Sequence, residues 1–213
     1  MTAKHAAFAA LVAAVLSAPA SAAGAEVAVD QPCYAEGSIM RVDGSGYTPG
    51  AIVTLTLGGT TSSADADETG AFTTTLNAPS TTLKHPGAQQ TTLTTRDTSS
   101  GAETATPINV AKTGVDGVPG QSKPHKRITW NLAGFPGIKA IYGHWRFRGK
   151  TRANHRMGVP KGPCGVLHVK ARQIEANRVL FGIWTVQFDF NRRYDKHAQP
   201  RATVKINVFR TFG

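Results

Sequence analysis

The side chains best suited to chemistry lie in the second half of the chain. Cys164 has His144, His155 and His168 within reach along the sequence. A thiol beside a histidine becomes a nucleophile when a third group orients the ring. The surrounding GPCG matches no nucleophile motif, so a cysteine-dependent hydrolase using Cys164 stands only as the alternative. No G-x-S-x-G elbow, H-E-x-x-H, phosphate loop or dinucleotide fingerprint occurs. Two isolated cysteines and scattered histidines do not form a zinc set, which takes about four ligands at short spacings. The expectation is therefore no enzyme, no metal and no cofactor.

Cations make a denser pattern. Along AIYGHWRFR, Tyr142, His144, Arg146 and Arg148 alternate with Ile141, Gly143, Trp145 and Phe147; along GVLHVKAR, His168, Lys170 and Arg172 alternate with Leu167, Val169 and Ala171. A strand sends successive side chains to opposite faces, so each segment has an apolar row for a core and a basic row for the outside. Between them GKTRANHRMGVPKGPCG reads as a Gly/Pro-containing loop bearing Lys150, Arg152, His155, Arg156 and Lys161. One continuous cationic face is expected, with Tyr142, His144, Arg146, Arg148, Arg152, Arg156, Lys170 and Arg172 as its contact residues. Summed positive charge attracts acidic polymers at long range.

The elements holding these residues read as strands throughout. Short β-branched stretches such as AIVTLTL and QTTLTTRD recur with Gly or Pro between them, and no helical period appears. Rows Trp184, Val186, Phe188, Phe190 and Val204, Ile206, Val208 extend the second core. Charge divides the chain at the same place as composition. Residues 23–112 hold four Lys or Arg against nine acids, a net of −5; residues 113–213 hold nineteen against four, a net of +15, and all three tryptophans. KTGVDGVPGQSKP between them has linker composition.

At the N-terminus Lys4, the apolar run from Ala6 to Leu16 and the Ala20, Ser21, Ala22 triplet have the form of a secretory signal peptide. The run is too short to span a bilayer, which takes about 20 residues. Export places the chain outside the cell, or at the cell wall, and in an oxidising compartment where Cys33 and Cys164 can pair. Cys33 follows the first strand, and Cys164 closes the basic segment that faces back towards the linker, so a disulfide between the domains is geometrically reasonable; two unpaired thiols or a bond between chains are the alternatives.

The segment GSGYTPGAIVTL, Gly44 to Leu55, with DETGAFTTTLNAP after it, resembles the G-x-G-[YF]-x-P-G-x-x-V pattern of bacterial extracellular immunoglobulin-like domains over about residues 26–112. That resemblance implies a β-sandwich and is nearly silent on function, since such domains serve as spacers, stalks and carbohydrate-binding modules alike. ITWNLAGFPGIKAIYGHWRFRGK, with GPCG and GIWTVQFD, looks like a module of secreted bacterial proteins to which no activity attaches.

The expected architecture is all-β: two tandem immunoglobulin-like β-sandwich domains after a signal peptide. Their bounds are 1–22 for the signal, 26–112 for an acidic Thr-rich domain, 113–125 for a linker and 126–213 for a basic domain. The expected function is non-catalytic binding or structural support at the cell envelope. The basic domain would engage an anionic wall polymer or acidic polysaccharide; nucleic acid is disfavoured because no recognised motif for it occurs. A spacer without ligand is the remaining alternative.

Overall fold

A computed structural model describes residues 24–123 and 125–209. The expected signal peptide, residues 1–22, lies outside the described residues. No helix among the described residues is long and apolar enough to cross a membrane.

In chain order the first half forms β1 (Glu26–Val29), β2 (Tyr34–Ala35), β3 (Ile39–Ser45), β4 (Ile52–Leu57), β5 (Thr60–Asp65), β6 (Phe72–Asn77), β7 (Gly87–Asp97) and β8 (Glu103–Lys112). They assemble as two sheets, β1-β3-β6 and β2-β8-β7-β4-β5. Only β2 against β8 is parallel. Alternation fixes which side of each strand is dry: Val53, Leu55 and Leu57 of β4 meet Met40 and Val42 of β3, Leu93 of β7 and Val110 of β8 in one core.

The sequence motif of this half closes that core. Tyr47 is buried edge-on against Phe72, with ring centroids 5.2 Å apart, and its hydroxyl hydrogen-bonds the buried Thr95 hydroxyl at 2.6 Å. Pro49 and Gly50 make the turn into β4, where the Ala51 amide donates to the Thr48 carbonyl. Gly50 has φ +71, the left-handed conformation a type II turn needs at its third residue.

The second half forms β9 (Gly114–Asp116), β10 (Gln121–Ser122), β11 (Arg127–Ala133), β12 (Ile141–Phe147), β13 (Lys150–Gly158), β14 (Leu167–Arg172), β15 (Gly182–Asp189) and β16 (Ala202–Val208). Its sheets are β14-β11-β9 and β10-β16-β15-β12-β13. Strand for strand this is the arrangement of the first half, including the short parallel strand β10 beside β16. Both halves follow the immunoglobulin order A-B-E against A′-G-F-C-C′, and the chain is a tandem of β-sandwiches.

The second core is built around aromatics. Trp130, Trp145 and Phe188 pack edge-to-face with centroids 4.9 to 6.2 Å apart, and Trp184 packs at a tilt against Phe147 with centroids 5.2 Å apart. Each indole has a partner: Trp145 Nε1 donates to the Gln173 carbonyl at 2.8 Å and Trp184 Nε1 to the Leu180 carbonyl at 2.8 Å. Burial of such side chains stabilises by about 1.5–3 kcal/mol each. Phe190, expected in this row, lies past the end of β15 and is 42% exposed.

Two expectations about the connections are corrected. Residues 113–125 are not a free linker: β8 ends at Lys112, Thr113 alone intervenes, and β9 and β10 are the first strands of the second sandwich. Residues 150–158 are not a loop but β13, the edge strand hairpinned to β12, with irregular register at Ile141/Tyr142 and Trp145/Arg146. A charged, bulged strand is a common way to keep an edge from pairing with other chains.

The domains touch along a short seam. Thr113 Oγ1 donates to the Gly134 carbonyl at 2.9 Å, and His85 Nδ1 lies 3.1 Å from Asp116 Oδ2. Cys33 and Cys164 are joined by a disulfide across 131 positions and bury Ala111 beside them. The loop carrying Cys33 is held by Tyr34, whose hydroxyl donates to Asp30 Oδ1 at 2.6 Å; burial, then that carboxylate, pushes the phenol up to about 12.

Candidate functional site

The outer face of the five-stranded sheet in the second domain gathers polar groups from three neighbouring strands. From β12 it receives Tyr142, His144 and Arg146, from β13 Asn154 and Arg156, and from β15 Gln187 and Asp189. Tyr142 sits opposite Arg156 on one side and Asp189 on the other; His144 sits opposite Asn154 and Gln187. Residues 190–201, the connection from β15 to β16, fold back over this face.

Beneath that connection is a buried ion pair. His144 and Asp189 both have side-chain exposures of 0%, with Nε2 3.2 Å from Asp189 Oδ1 and Nδ1 2.7 Å from Asn154 Oδ1. Acceptors at both ring nitrogens favour the doubly protonated imidazolium. Burial pushes His144 down, but the bonds to Asp189 and Asn154 outweigh it and leave the group above its ordinary value. Burial pushes Asp189 up, and is overcome by His144, the Gln187 amide and the Asn191 backbone amide, so its carboxyl sits below the ordinary range.

The same network anchors the covering segment. The Asn191 amide donates to Asp189 Oδ1 at 2.7 Å, and Gln187 Nε2 donates to both Asp189 Oδ2 and the Asp195 carbonyl at 2.7 Å. Tyr194 closes the lid: its ring lies 6.1 Å from that of His144, and the Arg146 guanidinium stacks 3.9 Å above it while donating to its hydroxyl at 2.8 Å.

Next to this lid opens a cleft of about 530 Å³, lined by Gly137, Ile138, Lys139, Ala140, Tyr142, Arg156, Phe190 and Arg192. It offers three cations, two aromatic rings and no carboxylate. Arg192 Nε donates to the Tyr142 hydroxyl at 3.3 Å, which ties two of the lining side chains together. None of the ion pairs among the described residues involves Lys139, Arg156 or Arg192.

The eight expected contact residues therefore separate. Tyr142 and Arg156 meet in the cleft. His144 is inside the structure, consumed by Asp189 and Asn154, and is no surface cation. Arg146 is half-buried against Tyr194. Arg148 is not on the strand row at all: with Gly149 it forms the two-residue turn between β12 and β13, at φ 47 and 76. Arg152 is exposed on the edge strand at its second irregularity. Lys170 and Arg172 belong to β14, in the other sheet. Since both sheets turn their apolar rows into one core, their outer rows face opposite ways, and the single continuous cationic face is replaced by two.

Lys139 and Arg192 were not singled out from sequence, and Phe190 was expected in the core row rather than at a cleft. They stand in connections, where alternation gives no direction; the only hint was RR at Arg192 and Arg193 just past an apolar strand. Cys164, with its sulfur bonded to Cys33, presents no thiolate, so the hydrolase geometry is not assembled in this oxidised form. Among the described residues no three His, Cys, Asp or Glu side chains gather to hold a metal ion.

Neither a family model nor a curated protein sequence matches the chain. Solved structures similar to it include the fibronectin(III)-like modules of Clostridium thermocellum CbhA, at 14% identity and TM-score 0.26 over 86% of this chain and 94% of that one. Red sea bream transglutaminase is similar at 12% identity and TM-score 0.33 over 88% of this chain and 31% of that one. Escherichia coli alpha-2-macroglobulin is similar at 11% and 0.33 over 86% and 14%. The chain spans less than a third of the latter two. At these values the likenesses assign no activity, and the fold stands on the strand order itself. Both domains are immunoglobulin-like sandwiches.

Proposed function

We propose that this is an exported, non-catalytic binding protein whose basic domain engages an anionic glycopolymer of the cell envelope. One observation carries the reading: the cleft between Lys139, Tyr142, Arg156, Phe190 and Arg192 collects three unpaired cations around two rings and has no acid in its lining. Guanidinium groups match carboxylate and phosphate with two parallel hydrogen bonds, and aromatic faces suit the apolar side of a sugar ring. The first domain, acidic and rich in small hydroxyl side chains, serves as a spacer fixed to the second through Cys33 and Cys164.

The test is binding of the full chain to purified anionic wall polymer across a salt series. Exposed charges are screened over about 8 Å at physiological ionic strength, so affinity is expected to fall steeply as NaCl rises. Replacing Arg156 and Arg192 by Ser removes two charge-assisted contacts, each worth about 1.5–3 kcal/mol, and is expected to weaken binding at least about tenfold per residue. Binding that ignores salt and both substitutions overturns the reading; no binding at low salt leaves a spacer.

A further inference from the structure

The three-stranded sheet of the second domain also turns a basic row outward. On β11 the outward residues are Arg127, Thr129 and Asn131; on β14 they are Arg172, Lys170 and His168. Pairing places Arg127 directly opposite Arg172, Thr129 opposite Lys170 and Asn131 opposite His168. The alternate residues, Ile128, Trp130 and Leu132 with Leu167, Val169 and Ala171, all belong to the core, so the direction of the outer row is fixed by register.

Two guanidinium side chains facing each other across a strand pair repel, and the neighbouring acids do not relieve them. Glu175 Oε1 accepts the backbone amide of Arg172 at 2.9 Å rather than pairing with its guanidinium. Asp116, opposite Asn131 at the far end, is held by His85 and by the Gly117 amide. Arg127 Nη2 donates to the Lys170 carbonyl at 3.2 Å, which lays its guanidinium across β14 towards Lys170. His168 Nδ1 is 2.8 Å from Asn131 Oδ1. No ion pair among the described residues includes Arg127, Lys170 or Arg172.

We infer that Arg127, Lys170 and Arg172 form a second polyanion-binding face on the side of the sandwich opposite the cleft, so that one basic domain bridges two chains of the same anionic glycopolymer. The inference rests on the polymer reading of the cleft. Two packed sheets lie about 10 Å apart backbone to backbone, and the outward side chains add their own length on each side. A short oligomer cannot reach both faces through the core; two oligomers, or one long polymer looping round, can. The faces also differ in kind: the cleft is lined by Tyr142 and Phe190 beside its cations, whereas the second face sets Arg127, Lys170 and Arg172 among Thr129, Asn131 and His168. It should follow the charge spacing of its ligand and tolerate variation in the sugar.

The experiment is titration calorimetry of the full chain at low salt with short oligomers of two chemistries, an oligogalacturonate carrying carboxylates and a polyglycerol phosphate carrying phosphodiesters. For whichever is bound, the parent is expected to take about two oligomers per chain. Lys170→Ser with Arg172→Ser is expected to reduce this to about one and leave the affinity of the remaining site unchanged. Arg156→Ser with Arg192→Ser is expected to reduce it to about one by removing the other. With long polymer, light scattering should show aggregates with the parent at intermediate mixing ratios and none with either pair of substitutions.

A parent stoichiometry of about one, abolished by Arg156→Ser with Arg192→Ser, overturns the second face while leaving the cleft reading intact. A stoichiometry of about two that survives Lys170→Ser with Arg172→Ser also overturns it. Absence of binding to both oligomers overturns the two readings together.

Discussion

The two sandwiches can be superposed in the mind by their β-hairpins. β4 and β5 are joined by Gly58 and Gly59, β12 and β13 by Arg148 and Gly149, and counting back from each turn pairs Leu57 with Phe147, Leu55 with Trp145, Thr54 with His144 and Ile52 with Tyr142. In the first domain the outward row is Ile52, Thr54 and Thr56, facing Ser63 and Thr61 on β5, and the loop after β7 runs only over residues 98–102. In the second the same row is Tyr142, His144 and Arg146, and residues 190–201 are long enough to fold over it. One frame thus carries a small-hydroxyl surface in one copy and a covered ionic network with a basic cleft in the other. Function on this fold resides in what is added to the frame.

The inner rows offer the largest effect. Trp145→Ala removes an indole that touches Trp130 and Phe188 and bonds the Gln173 carbonyl, and is expected to cost the second domain about 3–5 kcal/mol. Leu55→Ala, at the matching position, is expected to cost the first domain about 2–5 kcal/mol. Thermal unfolding followed by near-ultraviolet circular dichroism and tryptophan fluorescence separates them, because all three tryptophans lie in the second domain. Equal loss of the tryptophan signal in both variants means the cores are one cooperative unit and the comparison by domains fails.

The outer rows sharpen the contrast. His144→Ala leaves Asp189 buried without its ion-pair partner, and is expected to destabilise by about 3 kcal/mol; Thr54→Ala, on the open face, should stay within about 0.5 kcal/mol. The pH dependence has a defined sign. His144 lies above its ordinary value of 6.5 in the fold, so its contribution is full below 6.5 and lost as pH rises through the folded value. Asp189 lies below 3.8, so its contribution is full above 3.8 and lost as pH falls through the folded value. Arg146 and Tyr194 are the other charged or titratable groups facing the pair, beside neutral Asn154 and Gln187. The second domain is expected to be most stable between 3.8 and 6.5 with respect to this pair, and denaturation midpoints of His144→Ala should lose the decline above that window. A parent midpoint that stays flat on raising the pH contradicts a charged His144.

Much of this was legible from alternation. The core rows of β12, β14 and β16, and that of β15 as far as Phe188, follow from short-range pattern, and the Cys33–Cys164 bond is one of the alternatives that chain topology left open. What alternation cannot give is what lies above a face. His144 points outward as expected, yet it is buried because residues 190–201 return over it, and nothing in the local spacing of Tyr142, His144 and Arg146 encodes that return. The split between Arg146 and Lys170 has the same origin: sheet membership depends on long-range pairing of β14 with β11, which strand period alone does not specify. β9 and β10 were hidden because strands of two or three residues have no period, and β13 because its irregular register and polar edge composition erase one.

The two hairpins supply the smallest difference. Gly58 and Gly59 stand at φ 57 and 81, Arg148 and Gly149 at φ 47 and 76, the pattern of a type I′ turn in which both central residues are left-handed. Glycine adopts this freely, while an L residue other than Asn or Asp meets its own Cβ and costs about 1–2 kcal/mol. Arg148 recovers part of that through its guanidinium 5.3 Å from the Phe147 ring, worth about 0.5–1 kcal/mol at an exposed site. Arg148→Asn is therefore expected to stabilise the second domain by about 0.5 kcal/mol, a rise of about 2–4 °C in its midpoint. Because Arg148 lies six positions along β12 from Tyr142, roughly 20 Å at strand rise, polymer affinity at the cleft should not change. A fall in the midpoint means the stacking on Phe147 outweighs the backbone cost; a fall in affinity means the bound polymer runs the length of β12 and the cleft is only one end of its track.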